Sequence, residues 1–321
     1  MDLIFTDSSG ADVGVFPAYS FDMSFGESEN DFEIILDADE ASLEDGAFIY
    51  IEGTEYGGIN DGLKTSTNGE TVTYKGRTWH GIINSKIISP NAGANYYTVS
   101  GEANSVLSSL ISRLGLTSLF SAALDDSGIT ISKYQFARYC KGYDGIRAML
   151  AAVNAKLKIE WKDRKVYLSA VPVADYTEAP IDGDIATLTV EKHQNKVNHL
   201  ICLGKGELSA REVIHLYADQ FGNIGNSQYY TDFDEICDVY DNSNAESSED
   251  LRKGGIERFK ELMHVDKAEV SLTESSGLSF DIGDIIGATE YKTGITVKEK
   301  VSQKIVKINS GIINFEYKTG G

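Results

Sequence analysis

The sequence Gly62-Leu63-Lys64-Thr65-Ser66-Thr67-Asn68-Gly69-Glu70-Thr71-Val72-Thr73-Tyr74 has the pattern of a β-hairpin. Asn-Gly favours the tight turns that join antiparallel strands, because these residues adopt a positive φ at low cost. The β-branched and aromatic residues after the turn are typical of a strand. The pattern predicts strands over Gly62–Ser66 and Val72–Tyr74, and it indicates antiparallel β-structure.

The segments on either side extend this β-pattern. Apolar and polar residues alternate over residues 32–37, which predicts a strand with one buried face, and Phe48–Ile51 is predicted to be a buried strand. Lys75-Gly76 predicts a second turn into a further strand over Thr78–Ile88. Such closely spaced short strands predict a small barrel or sandwich over residues 1–99.

The apolar periodicity becomes helical after Ser100. Apolar residues recur every three or four positions up to Gly115, which predicts a helix that ends there. A second helix is predicted to begin with Asp144 as its N-cap and to bury Ile146, Met149, Leu150 and Val153.

Alternation returns between Leu157 and Ala170 on either side of Asp163-Arg164. This pattern predicts a hairpin with one solvated face. With the two helices it predicts an α+β domain over residues 100–180, which ends in a polar connection over residues 175–184.

Strands are again predicted from Ala186 onward. Their predicted positions are Lys196–Leu203, Glu212–Ala218, Lys267–Thr273, Asp284–Gly287, Ile295–Lys300, Lys304–Ile308 and Ile312–Tyr317. A helical insert is predicted over residues 245–264, although Gly254-Gly255 inside it is unfavourable for a helix. The fold class predicted for the whole chain is β-rich α+β, in which two small antiparallel β-barrel-like domains (1–99 and 181–321) flank an α+β middle domain (100–180).

Charge is distributed unevenly along the chain. The first 63 residues contain sixteen of the 49 acidic residues and none of the 29 Lys and Arg residues. This surface could repel a polyanion, dock a basic partner or serve only as a solvated face. It excludes nucleic-acid binding by this segment, because affinity for phosphate requires Lys and Arg.

The three cysteines, Cys140, Cys202 and Cys237, are widely spaced and form no C-x-x-C motif. We therefore expect reduced core thiols, without a disulfide framework or a zinc knuckle. The N-terminus lacks the basic and apolar regions of a signal peptide, and no run approaches about 18 apolar residues. These features predict synthesis in a cytoplasm and no membrane insertion by the chain itself.

The histidines are the first candidates for catalysis. They are His80, His193, His199, His215 and His264. His80, His199 and His215 fall in predicted strands, and we expect structural roles for all five. A thiol–imidazole pair between Cys140 and one of them is the weaker interpretation, because no family signature surrounds that cysteine.

Two groups of acidic residues are candidate cation sites. Asp37, Asp39 and Glu40 resemble the start of a calcium loop, but Ala41 and Ser42 occupy positions that require an oxygen ligand and a glycine. The denser group is Asp232, Asp234, Glu235, Asp238 and Asp241. An exposed acidic loop is the better interpretation of that group, and no metal site is predicted.

Gly204-Lys205-Gly206 follows a predicted strand, as a phosphate-binding loop would. The third glycine and a clear following helix are absent, so we predict a tight turn. No other catalytic or cofactor-binding motif is present, and we predict no catalytic or cofactor-binding residues.

One longer stretch is more specific. Val197-Asn198-His199-Leu200-Ile201-Cys202-Leu203-Gly204-Lys205-Gly206-Glu207-Leu208, continuing through Arg211, Val213 and His215–Asp219, resembles the hub proteins of bacteriophage tails. Three further segments resemble the same family in the same order along the chain: Gly76–Ile83, Tyr97–Ala103 and Phe280–Gly287. The chain is similar to the baseplate hub or tail-tip proteins of prophages and phage-tail-like particles.

This resemblance implies a homotrimeric ring in which each subunit contributes two related β-barrels. The ring would join the tail tube or distal tail protein to a central spike or tip, within the virion tail or baseplate. DNA would pass through its channel without specific binding. The family supplies no catalytic or cofactor-binding residues, so we expect a protein that is not an enzyme. Because Gly321 follows the last predicted strand closely, we also expect no appended lytic domain.

Two other functions remain open on the sequence. The chain could be a carbohydrate- or peptidoglycan-active β-protein, since paired carboxylates are easily placed among 49 acids. It could also be a receptor-binding tail module that attaches to the host surface. An enzyme would show turnover and a receptor-binding module would bind whole cells, whereas a hub would oligomerise and bind other tail proteins.

Overall fold

The computed structural model describes residues 2–39, 43–66, 69–181, 187–191, 196–219, 223–263, 267–273, 278–290, 292–309 and 311–319. The described residues are mainly β-structure, which confirms the predicted β-rich class. Their contacts define a larger unit, Met1–Thr189 with Ala268–Thr319, and a smaller unit, Val190–Lys267.

The strands and helices are numbered in chain order. The strands are β1 (Ile4–Thr6), β2 (Asp12–Val15), β3 (Ser20–Gly26), β4 (Asp31–Asp37), β5 (Phe48–Tyr50), β6 (Gly57–Lys64), β7 (Thr71–Thr78), β8 (Ile87–Ile88), β9 (Thr98–Glu102), β10 (Phe120–Ala122), β11 (Thr130–Gln135), β12 (Cys140–Lys141), β13 (Ala155–Lys162), β14 (Lys165–Pro172), β15 (Asp175–Ile181), β16 (Thr187–Glu191), β17 (His199–Leu203), β18 (Val213–Ala218), β19 (Ile224–Gly225), β20 (Cys237–Asp241), β21 (Lys267–Thr273), β22 (Ile285–Glu290), β23 (Ile295–Asn309) and β24 (Ile312–Thr319). The α-helices are α1 (Trp79–Asn84), α2 (Ala103–Arg113), α3 (Gly142–Ala151) and α4 (Ser248–Met263).

One large sheet contains strands from both ends of the chain. Its order is β16-β21-β24-β23-β3-β4-β7-β6-β5-β1-β2, and β15 and β22 continue from β23. The N-terminal and C-terminal strands meet where β3 pairs antiparallel with β23, from Gly26 opposite Gln303 to Ser20 opposite Asn309. Alternating buried residues on β3 and β4 supply the core beneath this junction.

This shared sheet differs from the predicted architecture. No sheet in the described residues closes into a barrel, whereas two barrel-like domains are predicted. The compact units also differ from the predicted ranges 1–99, 100–180 and 181–321. The physical reason is that alternation identifies a strand and its buried face but does not identify its partner strand.

The predicted N-terminal hairpin is present as β6 paired antiparallel with β7. Thr67 and Asn68 of its turn lie outside the described residues. The predicted second turn at Lys75-Gly76 is wrong, because β7 continues through both residues. A Cβ atom on Gly76 would overlap the carbonyl oxygen of Ile59, so this glycine permits close contact between strands.

The predicted strand over Thr78–Ile88 is also wrong in its first half. Residues Trp79–Asn84 form α1, and the Thr78 side chain caps this helix by accepting a hydrogen bond from the Gly81 backbone N–H. Trp79 and Ile83 are fully buried. A short apolar run of this kind fits a buried helix as well as a buried strand.

The middle of the chain largely follows the prediction. Helix α2 ends at its C-cap Leu114, followed by Gly115 with φ +71°. Helix α3 begins at Gly142, so Asp144 lies in its first turn and is not its N-cap. The predicted hairpin is β13 paired with β14, and both turn residues, Asp163 and Arg164, have positive φ.

A buried lysine connects this middle segment to the C-terminal part of the larger unit. Lys156 Nζ on β13 lies 2.6 Å from Asp281 Oδ2 and 2.8 Å from Asp284 Oδ2. The predicted polar connection over residues 175–184 is wrong in its first part, because Asp175–Ile181 forms β15 and pairs parallel with β22. Exposed polar residues can form a strand when their backbone pairs with a neighbouring strand.

The smaller unit has a four-stranded sheet in the order β19-β18-β17-β20. Helix α4, which confirms the predicted insert, buries Leu251 and Phe259 in the core that also contains Leu200 and Cys202. Side chains alternate between the two faces of a strand. His199 on β17 therefore lies on the opposite face of the sheet from α4.

Candidate functional site

A cluster of side chains lies on this second face of the smaller sheet. Parallel pairing of β17 with β20 places Cys237 directly opposite His199. Antiparallel pairing of β17 with β18 places Tyr217 opposite His199 on the other side and His215 opposite Ile201. Glu235 precedes β20 by two residues. Three strands and one loop thus bring four polar side chains together: those of His199, His215, Glu235 and Cys237.

The distances within the cluster are short. His199 Nδ1 lies 2.7 Å from Glu235 Oε1 and 3.1 Å from Cys237 Sγ. His199 Nε2 lies 2.8 Å from His215 Nδ1. The ligand atoms of His199, Glu235 and Cys237 all lie within 4.8 Å of one another, so this trio could hold a metal ion.

The residues of the cluster differ in solvent exposure. The His199 side chain is 8% exposed and stacks on the Tyr217 ring with a centroid distance of 4.3 Å. Cys237 is exposed, so the predicted core location of all three thiols is wrong for this residue. Partial burial and the Glu235 carboxylate raise the pKa of the Cys237 thiol, because both disfavour the thiolate.

His80 is separate from this cluster. His80 is buried on α1, lies 3.5 Å through Nε2 from Glu55 Oε2 and stacks on Phe25. These contacts pack His80 into the larger unit, and its structural role stays a prediction. His193 and His264 lie outside the described residues.

The weaker interpretation paired Cys140 with one of the five histidines. Among the described residues, the thiol–imidazole contact is that of Cys237 with His199. Cys140 lies in β12, opposite Ile88, and burial raises the pKa of its thiol. Cys202 is buried under α4, and burial raises the pKa of its thiol too.

The two acidic groups have different positions. Asp37 ends β4 and Asp39 follows it, both exposed, while Glu40 lies outside the described residues. Part of the predicted acidic loop has regular secondary structure. Asp232–Asp234 forms a 3-10 turn, and Asp238 and Asp241 belong to β20. Of this group, Glu235 joins the histidine cluster.

The segment Gly204-Lys205-Gly206 begins the connection from β17 to β18. Gly206 has φ +96°, and the Gly204 N–H donates to the Glu212 carbonyl oxygen at 2.9 Å. Glu212 N–H in turn donates to the Lys205 carbonyl oxygen at 2.8 Å. The segment therefore opens a longer connection over residues 204–212, which includes a 3-10 turn at Leu208–Ala210, whereas a tight turn was predicted.

Acidic side chains on β3 and β4 share the outward face of the large sheet. We call Asp22, Asp31, Glu33 and Asp37 the acidic face. These residues are exposed and alternate on β4 with the buried Phe32, Ile34 and Leu36. Asp22 lies directly opposite Glu33. Partial burial raises the pKa of Asp22, with Glu316 and Glu33 adding to the effect against the lowering influence of Lys307.

The histidine cluster was missed from the sequence for a specific reason. Cys237 lies 38 residues from His199 and 22 from His215, without the short spacings of a metal motif. Cys237 meets His199 because β20 pairs in parallel with β17, and His215 meets it because β18 pairs antiparallel with β17. The sequence of this strand carries no clear signal for the face of His199, because four apolar residues, Leu200–Leu203, follow it without alternation.

None of the described helices is both long enough and apolar enough to span a bilayer.

Neither a protein-family model nor a curated protein matches the sequence. Solved structures do match over the full length. A prophage tail protein from Shewanella oneidensis has a TM-score of 0.61 at 11% identity, covering 99% of this chain and 98% of its own. A tail protein from Neisseria meningitidis has a TM-score of 0.57 at 11% identity, covering 100% and 96%.

The third comparison is with an assembled particle. A chain in the structure of the phage P2 baseplate, in its activated conformation with Ca, has a TM-score of 0.52 at 10% identity. The match covers 100% of this chain and 99% of that chain. All three matches extend over both compact units, and the chain described here has the fold of phage tail proteins.

Proposed function

We propose that this chain is a structural hub protein of a phage tail or baseplate. The observation that carries the proposal is the match to tail proteins over nearly the whole of both chains, including a chain of the P2 baseplate. A likeness confined to one sheet would fit many β-proteins. A likeness that includes the large sheet, the middle helices and the smaller unit favours a shared structural role.

In this role the chain forms a homotrimeric ring within the virion tail or baseplate. It contacts the tail tube or distal tail protein on one side and a central spike or tip protein on the other. It is synthesised in the cytoplasm of the bacterial host and acts without catalysis.

The molecular mass in solution tests this proposal. We expect light scattering to give three times the mass of the chain, with a concentration dependence that identifies any dissociation. We also expect the trimer to bind purified tube protein. A chain that stays monomeric at every concentration, also when mixed with tube and spike proteins, would overturn the hub proposal. Turnover of peptidoglycan or polysaccharide by the purified chain would favour the enzymatic alternative.

In this proposal the acidic face lines the DNA channel of the ring. Carboxylates that line a channel repel DNA phosphates, so DNA slides through without adhering. The support is that Asp22, Asp31, Glu33 and Asp37 project together from adjacent strands. Lys307 lies opposite Asp22 and Lys75 pairs with Glu33, so the net charge of this face is smaller than its four acids alone would give. The repulsion falls with ionic strength, because salt screens exposed charges beyond about 8–10 Å.

The test replaces these four acids by Asn or Gln in assembled particles. We expect normal particle numbers and slower DNA ejection at low salt, with a smaller difference at high salt. The matched control replaces Asp232, Asp234, Asp238 and Asp241, which changes the net charge by the same amount in the smaller unit. Intact particles that eject DNA at the wild-type rate would show that the acidic face does not act on DNA.

A further inference from the structure

We propose that His199, Glu235 and Cys237 form a Zn²⁺ site on the smaller unit. The site is independent of the proposed hub function, because it depends only on contacts within one sheet and the loop before β20.

The geometry brings one ligand atom of each residue to a common point. His199 Nδ1 is 2.7 Å from Glu235 Oε1 and 3.1 Å from Cys237 Sγ, and all three ligand atoms lie within 4.8 Å of one another. Zn²⁺ bonds of about 2.0–2.3 Å place neighbouring tetrahedral ligands roughly 3–4 Å apart. The side chains therefore need to move by only a fraction of this spacing to hold one ion.

The donor atoms favour Zn²⁺ over a hard cation. A thiolate, an imidazole nitrogen and a carboxylate oxygen are all common Zn²⁺ ligands, whereas Ca²⁺ and Mg²⁺ select sets of oxygen atoms. The ion would displace the proton of the Cys237 thiol, and it requires the His199 tautomer that carries its proton on Nε2. Because Cys237 is exposed, a fourth position remains accessible to water.

Neighbouring groups already hold two of the ligands in place. His199 Nε2 lies 2.8 Å from His215 Nδ1, so an Nε2–H donor to His215 leaves Nδ1 with a free lone pair towards Glu235 and Cys237. Gln228 Nε2 donates to Glu235 Oε1 at 2.9 Å. The Tyr217 ring fixes the plane of His199 by stacking. Such outer contacts are typical of metal sites, where they orient the ligands.

A bound ion would connect β20 and the loop before it to the central strand β17. The core of the smaller unit consists of few buried residues under a single helix. Small cores gain stability from metal binding, because the ion binds the folded state far better than the unfolded chain.

The test measures Zn²⁺ binding to the full-length chain after dialysis against a chelator. We expect equilibrium dialysis with elemental analysis to give one Zn²⁺ per chain. Co²⁺ should substitute for Zn²⁺ and produce a thiolate-to-metal charge-transfer band, which reports the cysteine ligand directly. We expect the same ion to raise the unfolding temperature of the wild-type chain.

Variants assign the ligands. Cys237→Ser changes an exposed residue, so we expect it to fold, to lose the Co²⁺ charge-transfer band and to bind Zn²⁺ more than about 100-fold more weakly. His215→Ala should weaken binding by about 10- to 100-fold, as loss of an orienting group does. The matched control, Asp232→Asn with Asp234→Asn, removes the acids just before Glu235 and should bind Zn²⁺ with unchanged affinity.

Three results would overturn the site. The first is no saturable Zn²⁺ binding by the wild-type chain, and the second is unchanged affinity in Cys237→Ser. The third is loss of binding in the Asp232→Asn/Asp234→Asn control with retention in Cys237→Ser, which would assign the ion to the acidic residues instead.

Discussion

Lys304 Nζ lies 2.8 Å from Glu55 Oε1, and the lysine side chain is only 2% exposed. Lys304 belongs to β23, near the C-terminus, whereas Glu55 lies between β5 and β6. The second carboxylate oxygen of Glu55 lies 3.5 Å from Nε2 of His80. Four aromatic rings have centroids within 6.0 Å of the ammonium group: those of Phe25, Tyr56, Phe315 and Tyr317. This buried pair connects distant parts of the chain within the larger unit.

Removal of one charge from this pair should strongly destabilise the larger unit. Lys304→Met leaves Glu55 without its main cationic partner, and loss of one member of a buried pair typically costs about 3–5 kcal/mol. Urea unfolding followed by circular dichroism should show the corresponding decrease in the free energy of unfolding. Lys307→Met is the matched control, because Lys307 lies on the same strand in a half-exposed pair with Glu316 at 2.8 Å. That substitution should lower the free energy of unfolding by about 1 kcal/mol or less. Equal losses in the two variants would contradict a special role for the buried pair.

The same pair should make the free energy of unfolding depend on pH. Burial alone would raise the pKa of Glu55, but the Lys304 charge and the His80 hydrogen bond lower it from 4.5 to about 2. A carboxyl group whose pKa is lower in the folded state stabilises the fold above its unfolded pKa. That stabilisation, on the order of 3 kcal/mol, is lost as the pH falls from about 4.5 to 2.

Urea midpoints measured across this pH range test the linkage. The wild-type chain should lose stability more steeply than Glu55→Gln, which has no carboxyl group to protonate at this position. Glu316→Gln serves as the control and should retain the wild-type slope, because its partner Lys307 is half-exposed. A Glu55→Gln slope equal to that of the wild type would show that Glu55 does not carry the effect.

Local patterns explain which elements were predictable. The β13–β14 hairpin and helix α2 follow from signals within a few residues, such as Asp163-Arg164 and Gly115. The β3–β23 junction joins residues almost 290 positions apart, and alternation carries no information about such a partner. The role of Gly76 was ambiguous for the same reason. In the sequence Lys75-Gly76 indicates a turn, whereas in the sheet Gly76 permits close contact with the neighbouring strand.

The candidate site shows the same division between local and distant information. His199 and His215 were correctly placed in strands, but Cys237 was not assigned to any element. Strand β20 alternates Cys237 and Val239 with Asp238 and Tyr240, which lacks a clear apolar face. Residues 237–241 form a strand because their backbone pairs with β17, although their side chains do not indicate a strand.

The N-cap of α2 should contribute measurably to the stability of the larger unit. The Glu102 carboxylate accepts hydrogen bonds from the backbone N–H groups of Asn104 at 2.8 Å and Ser105 at 2.7 Å, and of Ser127 at 3.0 Å. Glu102→Ala leaves these donors without this acceptor, and loss of a cap costs about 1 kcal/mol, within a range of roughly 0.5–2. Thermal unfolding should show the loss, while Ser108→Ala on the exposed side of the same helix should not. A Glu102→Ala unfolding temperature equal to that of the wild type would mean that water replaces the cap fully.

Adjacent glycines in α4 should respond oppositely to the same substitution. A Cβ atom on Gly255 would overlap Sγ of the buried Cys202, so Gly255→Ala must shift the helix away from β17. Overpacking of this kind costs about 1–3 kcal/mol, which exceeds the gain of up to about 1 kcal/mol in helix propensity. At Gly254 the nearest atom is the hydroxyl oxygen of Tyr240, 2.7 Å from the new Cβ, at the end of a side chain that can turn aside. Gly254→Ala should therefore be neutral or stabilising in thermal unfolding. A stabilising Gly255→Ala variant would show that close approach of the helix to Cys202 is not what requires glycine there.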